Sequence, residues 1–176
     1  MSQLKVNSIV PVGGLASGFN GGIIQMKQVY KQDTFSMNSN SMTDLTGMSV
    51  VITPSSSSNK ILIVTNLTYG GQSNGYFGIN LLRGSTSLGL STAATGNQLN
   101  FSFAIGTGNG DNDYYKCHSA SYAYLDSPAT TSSTTYKLQA YSYDSRYFYL
   151  NRGHSTSNAA YIHRGSSSIT AYEITT

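Results

Sequence analysis

Charge is scarce in this 176-residue sequence, where Asp, Glu, Lys and Arg together make up only 10% of the residues. Typical soluble proteins carry roughly 25%. The ten basic residues outnumber the seven acidic ones, but they are scattered rather than gathered into a stripe. Nucleic-acid binding requires a concentrated basic surface, so we expect no nucleic-acid partner. Disorder is also disfavoured, because disordered chains combine low hydrophobicity with high net charge.

Cysteine is nearly absent, long apolar runs are absent, and the N-terminal residues do not show the pattern of a signal peptide. The single cysteine, Cys117, can form no disulfide within the chain. No apolar run approaches the ~18 residues of a membrane-spanning helix, so we expect no membrane partner. Asn7, Ser8 and Pro11 interrupt the only stretch that could resemble a signal peptide. We therefore expect a protein that is made and kept in a cytoplasm, or one that is built into a particle assembled there.

The sequence does contain many short segments of β type. It has 14 Tyr and 6 Phe, and no segment shows a helical period. Segments rich in Val, Ile, Thr, Tyr and Phe are separated by turns of Ser, Asn, Gly and Asp, which predicts an all-β antiparallel sandwich. The predicted strands are Gly22–Lys31, Met48–Thr53, Lys60–Tyr69, Gly75–Arg83, Leu99–Ile105, Ser119–Leu125, Thr135–Tyr143, Arg146–Asn151 and Ser168–Thr175.

Alternation along the late strands predicts a second covered face. Tyr141 in "TYKLQAY", and Tyr172 and Ile174 in "ITAYEIT", lie opposite the side chains that would fill the core. A protein that covers both faces of a small sandwich usually does so by forming an oligomer. We therefore assign Tyr141, Tyr172 and Ile174 to a subunit interface.

The sequence contains little evidence for a catalytic site. The acidic residues are widely spread, no "GxSxG" motif occurs, and the three histidines lack metal-ligand spacing. Cys117 and His118 are neighbours in sequence, so in a strand their side chains would point to opposite faces. We expect no enzyme activity and no cofactor.

The segment "GTGNGDND" resembles the glycine- and aspartate-rich calcium loops of repeat toxins. Those sites need tandem copies, and this sequence has one. Its composition is that of a hairpin loop, which is the interpretation we favour. Asp111 and Asp113 are the only candidates for a weak calcium site.

Tyrosines are dense in "DSRYFYLNRGH". If this segment is a strand, Tyr147 and Tyr149 share one face. With Arg146 and Arg152 beside them, they could stack on sugar rings and hydrogen-bond the hydroxyls. The same tyrosines could instead line a subunit interface, where tyrosine is enriched. The sequence leaves both alternatives open.

Two groups of motifs carry a resemblance to known proteins. The opening "LKVNSIVPVGG" resembles the N-terminal leader of tailed-phage virion proteins. The segments "GGIIQMKQ", "VVITPSSSSNKILI", "INLLRGST", "YLDSPATTSSTTYKLQ" and "SSITAYEI" resemble fibre-like proteins of marine cyanophages. The strand order is also similar to the jelly roll of the tumour-necrosis-factor and complement family, which implies a trimer packed around a common axis.

These resemblances imply a division of the chain into two parts. Residues 1–21 would form an extended anchor and glycine-rich tether, with Leu4, Val6, Ile9 and Val10 docking onto a capsid or tail protein by strand addition or apolar packing. Residues 22–176 would form a trimeric jelly-roll head. The implied function is that of a non-enzymatic virion fibre or decoration protein, assembled in the host cytoplasm and contacting host glycans. A free lectin-like sandwich is the alternative.

Overall fold

The structure is a computed structural model that describes residues 22–108 and 114–176. These residues form eleven β-strands and a 3-10 turn at Tyr143–Ser145. None of the helices within these two ranges is long and apolar enough to cross a membrane. The strands are β1 (Ile23–Lys31), β2 (Phe35–Met37), β3 (Thr43–Ile52), β4 (Lys60–Gly71), β5 (Tyr76–Arg83), β6 (Thr86–Leu88), β7 (Phe103–Gly106), β8 (His118–Asp126), β9 (Thr134–Ser142), β10 (Phe148–Leu150) and β11 (Ser167–Ile174).

The strands build two antiparallel sheets. Sheet A has the order β1-β11-β4-β8, and the short strands β10 and β2 extend it where β11 has ended. Sheet B has the order β3-β9-β5, with β6 and β7 both paired to β5. Strands β3, β4 and β5 alternate between the sheets, as do β7, β8 and β9. This arrangement is an antiparallel jelly-roll sandwich, which confirms the predicted fold class.

The core lies between the two sheets and is built by period-2 alternation. Along β9, every second side chain from Thr134 to Ser142 is buried, and β4 alternates in the same way from Ile61 to Tyr69. Because successive side chains of a strand point to opposite faces, these positions meet across the sandwich. The fully or almost fully buried apolar residues include Met48, Val50, Ile52, Ile61, Ile63, Leu67, Phe77, Ile79, Leu81, Tyr136, Leu138, Ala140, Phe148, Leu150, Ile169 and Ala171.

All nine predicted strands are confirmed, with shifted ends. The strand predicted at Met48–Thr53 begins earlier, at Thr43. Two strands that the sequence did not indicate, β2 and β6, are three residues long each. Such short strands carry too few residues for alternation to be visible.

Candidate functional site

An apolar row crosses the solvent side of sheet A from one edge strand to the other. Met26 on β1 pairs with Tyr172 on β11, Tyr172 pairs with Leu62 on β4, and Leu62 pairs with Leu125 on β8. We call these four residues the apolar row. Met26 remains 56% exposed and Leu125 47% exposed. Large apolar side chains are thus aligned on a surface that residues 22–108 and 114–176 do not cover.

Further apolar side chains widen the row. Val64 and Ala123 pair with each other in the neighbouring row, and Ile174 pairs with Ile23 on the other side. Ile23 and Ile24, next to a register shift in β1, are 60% and 49% exposed. Contiguous exposed apolar surface on a soluble protein usually marks a contact with another molecule.

Polar side chains border the apolar row and its apolar neighbours on one side. Ser121 Oγ donates a 2.7 Å hydrogen bond to Asn66 Oδ1, and Gln28 Nε2 donates a 2.9 Å hydrogen bond to Thr170 Oγ1. Among the outward positions that pair across β1, β11, β4 and β8, Lys60 is the one charged residue. Little charge would need to be desolvated when this face is covered.

The solvent side of sheet B differs in its charge. There Asp44 accepts 2.7 Å hydrogen bonds from Lys137 Nζ and Gln139 Nε2. These two donors hold the pKa of the Asp44 carboxyl below its usual value. Water solvates an exposed ion pair of this kind, and burying it would cost free energy because both charges would lose their solvation. The solvent side of sheet A, which has little charge, is therefore the better candidate for a contact face.

Glu173 fixes the strand that carries Tyr172 and Ile174. Its side chain points into the sandwich and is fully buried. Its Oε1 atom accepts hydrogen bonds from the backbone N–H of Ser55 at 2.6 Å, from Ser55 Oγ at 2.7 Å and from Asn59 Nδ2 at 2.7 Å. These bonds tie the end of β11 to the loop before β4 and so position the neighbouring outward side chains.

The three predicted interface residues do not share one face. Tyr172 and Ile174 lie two residues apart on the solvent side of sheet A. Tyr141 lies on β9, on the solvent side of sheet B, where its ring contacts Phe101 at a centroid distance of 5.5 Å. Tyr141 would join the same assembly only through a second, separate surface.

The predicted glycan-contacting residues are partly brought together. The rings of Tyr147 and Tyr149 stack in parallel, with centroids 5.8 Å apart and planes 4° apart. The Arg152 guanidinium lies 3.8 Å from the centroid of the Tyr149 ring. Arg146 instead donates a 3.1 Å hydrogen bond to the Ser73 carbonyl and lies 3.9 Å from Asp144.

Tyr149 offers little free surface for a ligand. It is only 6% exposed, whereas Tyr147 is 43% exposed. Burial raises the pKa of the Tyr149 hydroxyl. The contact of this region with a glycan stays a prediction, and Tyr147 is the member with an accessible ring.

Other aromatic residues extend this cluster. His154 packs against Tyr149 at 5.2 Å and against Tyr114 at 4.2 Å, and Tyr115 bridges Tyr114 and Tyr161 at 5.2 and 5.7 Å. Burial, and then the positive charge of Arg152, lower the pKa of His154. The contacts of Tyr114 with His154 and of Tyr115 with Tyr161 join segments that are distant along the chain, so a local sequence pattern does not indicate them.

Several predicted residues lie outside the described part of the structure. They are the anchor residues Leu4, Val6, Ile9 and Val10 and the calcium candidates Asp111 and Asp113. Within residues 22–108 and 114–176, no group of three or more His, Cys, Asp or Glu side chains is placed to hold a metal ion.

Comparison with known proteins gives a sparse result. No family model matches the chain, and no curated protein matches it. A solved structure with some similarity is a mutant VP2 protein of infectious bursal disease virus, from derived T=1 particles. It is 12% identical with a TM-score of 0.42, and the match covers 85% of this chain and 36% of that one. This chain thus spans about a third of that protein, and the jelly-roll assignment rests on the strand order.

Proposed function

We propose that this protein is a non-enzymatic structural component of a phage virion, a small trimeric fibre or decoration protein. The apolar row on sheet A is the observation that carries the proposal. Among the described residues of a single chain, Met26 and Leu125 stay about half exposed to water. Fully burying such a side chain is worth about 1.5–3 kcal/mol, so covering the exposed half of each would contribute roughly 1 kcal/mol.

In this proposal the assembled head is a closed trimer. The resemblance to the tumour-necrosis-factor and complement jelly rolls supports three subunits around one axis. Tyr172 and Ile174 would lie in the contact between subunits, together with Leu62 and Leu125. Closed cyclic symmetry covers the same face on every subunit and leaves no open end for further addition.

Residues 1–21 act as the anchor in the same proposal. The apolar side chains of Leu4, Val6, Ile9 and Val10 would dock onto a capsid or tail protein, and the glycines after Pro11 would form the tether. Three tethered copies in one trimer would bind with higher avidity than one copy, without any additional contact in each. The protein would reside in the virion after assembly in the host cytoplasm.

Particle incorporation tests this function. In the virus that encodes the protein, a chain lacking residues 1–20 should fold and form trimers but be absent from purified particles. Mass spectrometry of the particles would measure its loss relative to the full chain. Undiminished incorporation of the truncated chain would overturn the anchor. Absence of the full chain from particles would overturn the virion role and favour the alternative, a free lectin-like sandwich.

A further inference from the structure

A groove of about 830 Å³ lies on the solvent side of sheet B, opposite the apolar row. Its floor includes Gly78 on β5, which pairs with Ala104 on β7 and with Tyr141 on β9. Because glycine has no side chain, the ring of Phe101 lies directly on the strand here. A Cβ atom at position 78 would be only 2.3 Å from this ring.

Aromatic rings line the groove and stay accessible. Tyr76 and Tyr143 meet edge to face, with centroids 6.4 Å apart, and are 64% and 60% exposed. Phe101 and Tyr141 form a second pair across the floor. Ring faces of this kind pack against the C–H faces of a pyranose, and a tyrosine hydroxyl can bond to the sugar hydroxyls.

Residues 91–100 form a wall of the groove, and hydrogen bonds within and next to this segment hold it in place. The backbone N–H of Ser91 donates to the Phe101 carbonyl at 3.1 Å, and the N–H of Ala94 donates to Asn100 Oδ1 at 3.2 Å. These bonds close the wall into a loop whose ends are fixed to the sheet. The groove is therefore formed before any ligand arrives, which lowers the entropic cost of binding.

Amide side chains on this wall face the groove with unused donors. Asn97, Gln98 and Asn100 all line it. Asn100 and Gln98 use only their oxygens in the bonds that shape the loop. Within the described ranges, the side-chain N–H groups of these residues donate no hydrogen bond to the protein. They can donate to the hydroxyl oxygens of a ligand.

We propose that this groove binds a neutral oligosaccharide. None of the described residues that line the groove is Asp, Glu, Lys, Arg or His, so these residues offer no counter-charge for an anionic or cationic ligand. Aromatic faces and amide donors together match a ligand that is apolar on its ring faces and rich in hydroxyls. The volume lies within the roughly 300–1,000 Å³ usual for small-molecule sites. The inference stands apart from the assembly proposal, because the groove and the apolar row are on opposite sheets.

Binding to an array of neutral gluco-, galacto-, manno- and N-acetylhexosamine oligosaccharides tests the proposal, with sialylated and sulfated glycans on the same array. The best neutral ligand is then titrated calorimetrically against four variants of the full chain. Tyr76→Ala removes a ring, and Ala104→Tyr fills the floor. Tyr161→Ala is the matched control, since Tyr161 is 63% exposed and outside the groove. Tyr147→Ala tests the aromatic cluster instead.

We expect at least one neutral oligosaccharide to bind, with affinity about tenfold lower in Tyr76→Ala and Ala104→Tyr. Tyr161→Ala and Tyr147→Ala should bind like the unmodified protein. Thermal unfolding shows whether each variant is folded, and an unchanged oligomeric mass separates this test from that of the assembly. The proposal is overturned if only charged glycans bind, if nothing on the array binds, if only Tyr147→Ala loses affinity, or if the groove variants change the oligomeric mass.

Discussion

The hydroxyl of Tyr136 donates a 2.7 Å hydrogen bond to the carboxylate of Asp126, which joins β9 of one sheet to β8 of the other. Arg83 on β5 donates to the same carboxylate, at 2.9 and 3.0 Å. Tyr136 is fully buried and Asp126 almost so. Burial, together with the hydrogen bond to Asp126, raises the pKa of the Tyr136 hydroxyl far above its usual value. This network connects the two sheets at one end of the core.

Tyr136→Phe should therefore destabilise the fold. The change leaves the buried Asp126 carboxylate with one donor fewer, which costs about 1–3 kcal/mol in the free energy of unfolding. Urea denaturation followed by circular dichroism measures this loss. Tyr161→Phe removes a hydroxyl from an exposed ring and should change little. Equal stability of the two variants would show that the bond between the sheets contributes nothing.

Glu173 should make the stability depend on pH. Burial by itself raises the pKa of its carboxyl, but the hydrogen bonds from Asn59 and Ser55 outweigh burial and hold the pKa below its usual value. The unfolded chain therefore binds a proton at a higher pH than the folded chain. The stabilisation is complete above the ordinary carboxyl pKa and is lost as pH falls through that range towards the lowered value.

The matched test is Glu173→Gln, which removes this titration. The free energy of unfolding, measured in urea between neutral and acidic pH, should fall less steeply in this variant than in the unmodified protein. Asp44→Asn provides the control, because the Asp44 side chain is 54% exposed and water screens its ion pair. An acid dependence that Glu173→Gln leaves unchanged would assign it to other carboxyls.

Asn151 combines a left-handed backbone with a buried, fully used side chain. Its φ is +63° and its exposure is zero. Its Nδ2 donates to the carbonyls of Lys31 and Asp33 at 2.9 and 2.8 Å, and its Oδ1 accepts from Ser167 Oγ at 2.6 Å. The residue thus ties the chain after β10 to the ends of β1 and β11.

Two substitutions separate the backbone effect at Asn151 from that of the side chain. Asn151→Gly loses the three side-chain bonds but tolerates the positive φ, so it should destabilise by about 2–4 kcal/mol. Asn151→Ala loses the same bonds and keeps a Cβ in a conformation that glycine adopts without strain, so it should be about 1 kcal/mol less stable than the glycine variant. Melting temperatures of both variants check this order. If the alanine variant proves the more stable, the argument from φ is wrong.

The sequence predicted the strands of this protein well because alternation is local. The pattern in "TYKLQAY" assigned Tyr136 to the interior and Tyr141 to the outside, as the structure has them. Alternation does not predict the first half of β3, because the segment "NSNSMTD", whose composition is that of a turn, extends into it. Gly47 in that half has a φ of +84°, and the register between β3 and β9 shifts between Asp44 and Ser49.

The apolar row could not be predicted, because it depends on the registers of three strand pairings. Met26 and Leu125 are far apart in sequence and are aligned only through Tyr172 and Leu62. A continuous apolar run such as Ile61–Val64 is typical of a strand that is buried on both faces. In the structure Ile61 and Ile63 are buried, while Leu62 and Val64 are half-buried on the outer face. That remaining exposure is what the proposed assembly would cover.

The mass of the purified full chain in solution, from light scattering behind a sizing column, tests the assembly most directly. We predict a species near three times 18.8 kDa. Leu125→Asp should give a monomer, while Val51→Asp should stay trimeric. Both residues face outward from edge strands and are 47% and 50% exposed, on sheets A and B respectively. A monomeric unmodified protein, or a trimer that Val51→Asp dissociates and Leu125→Asp does not, would contradict the account.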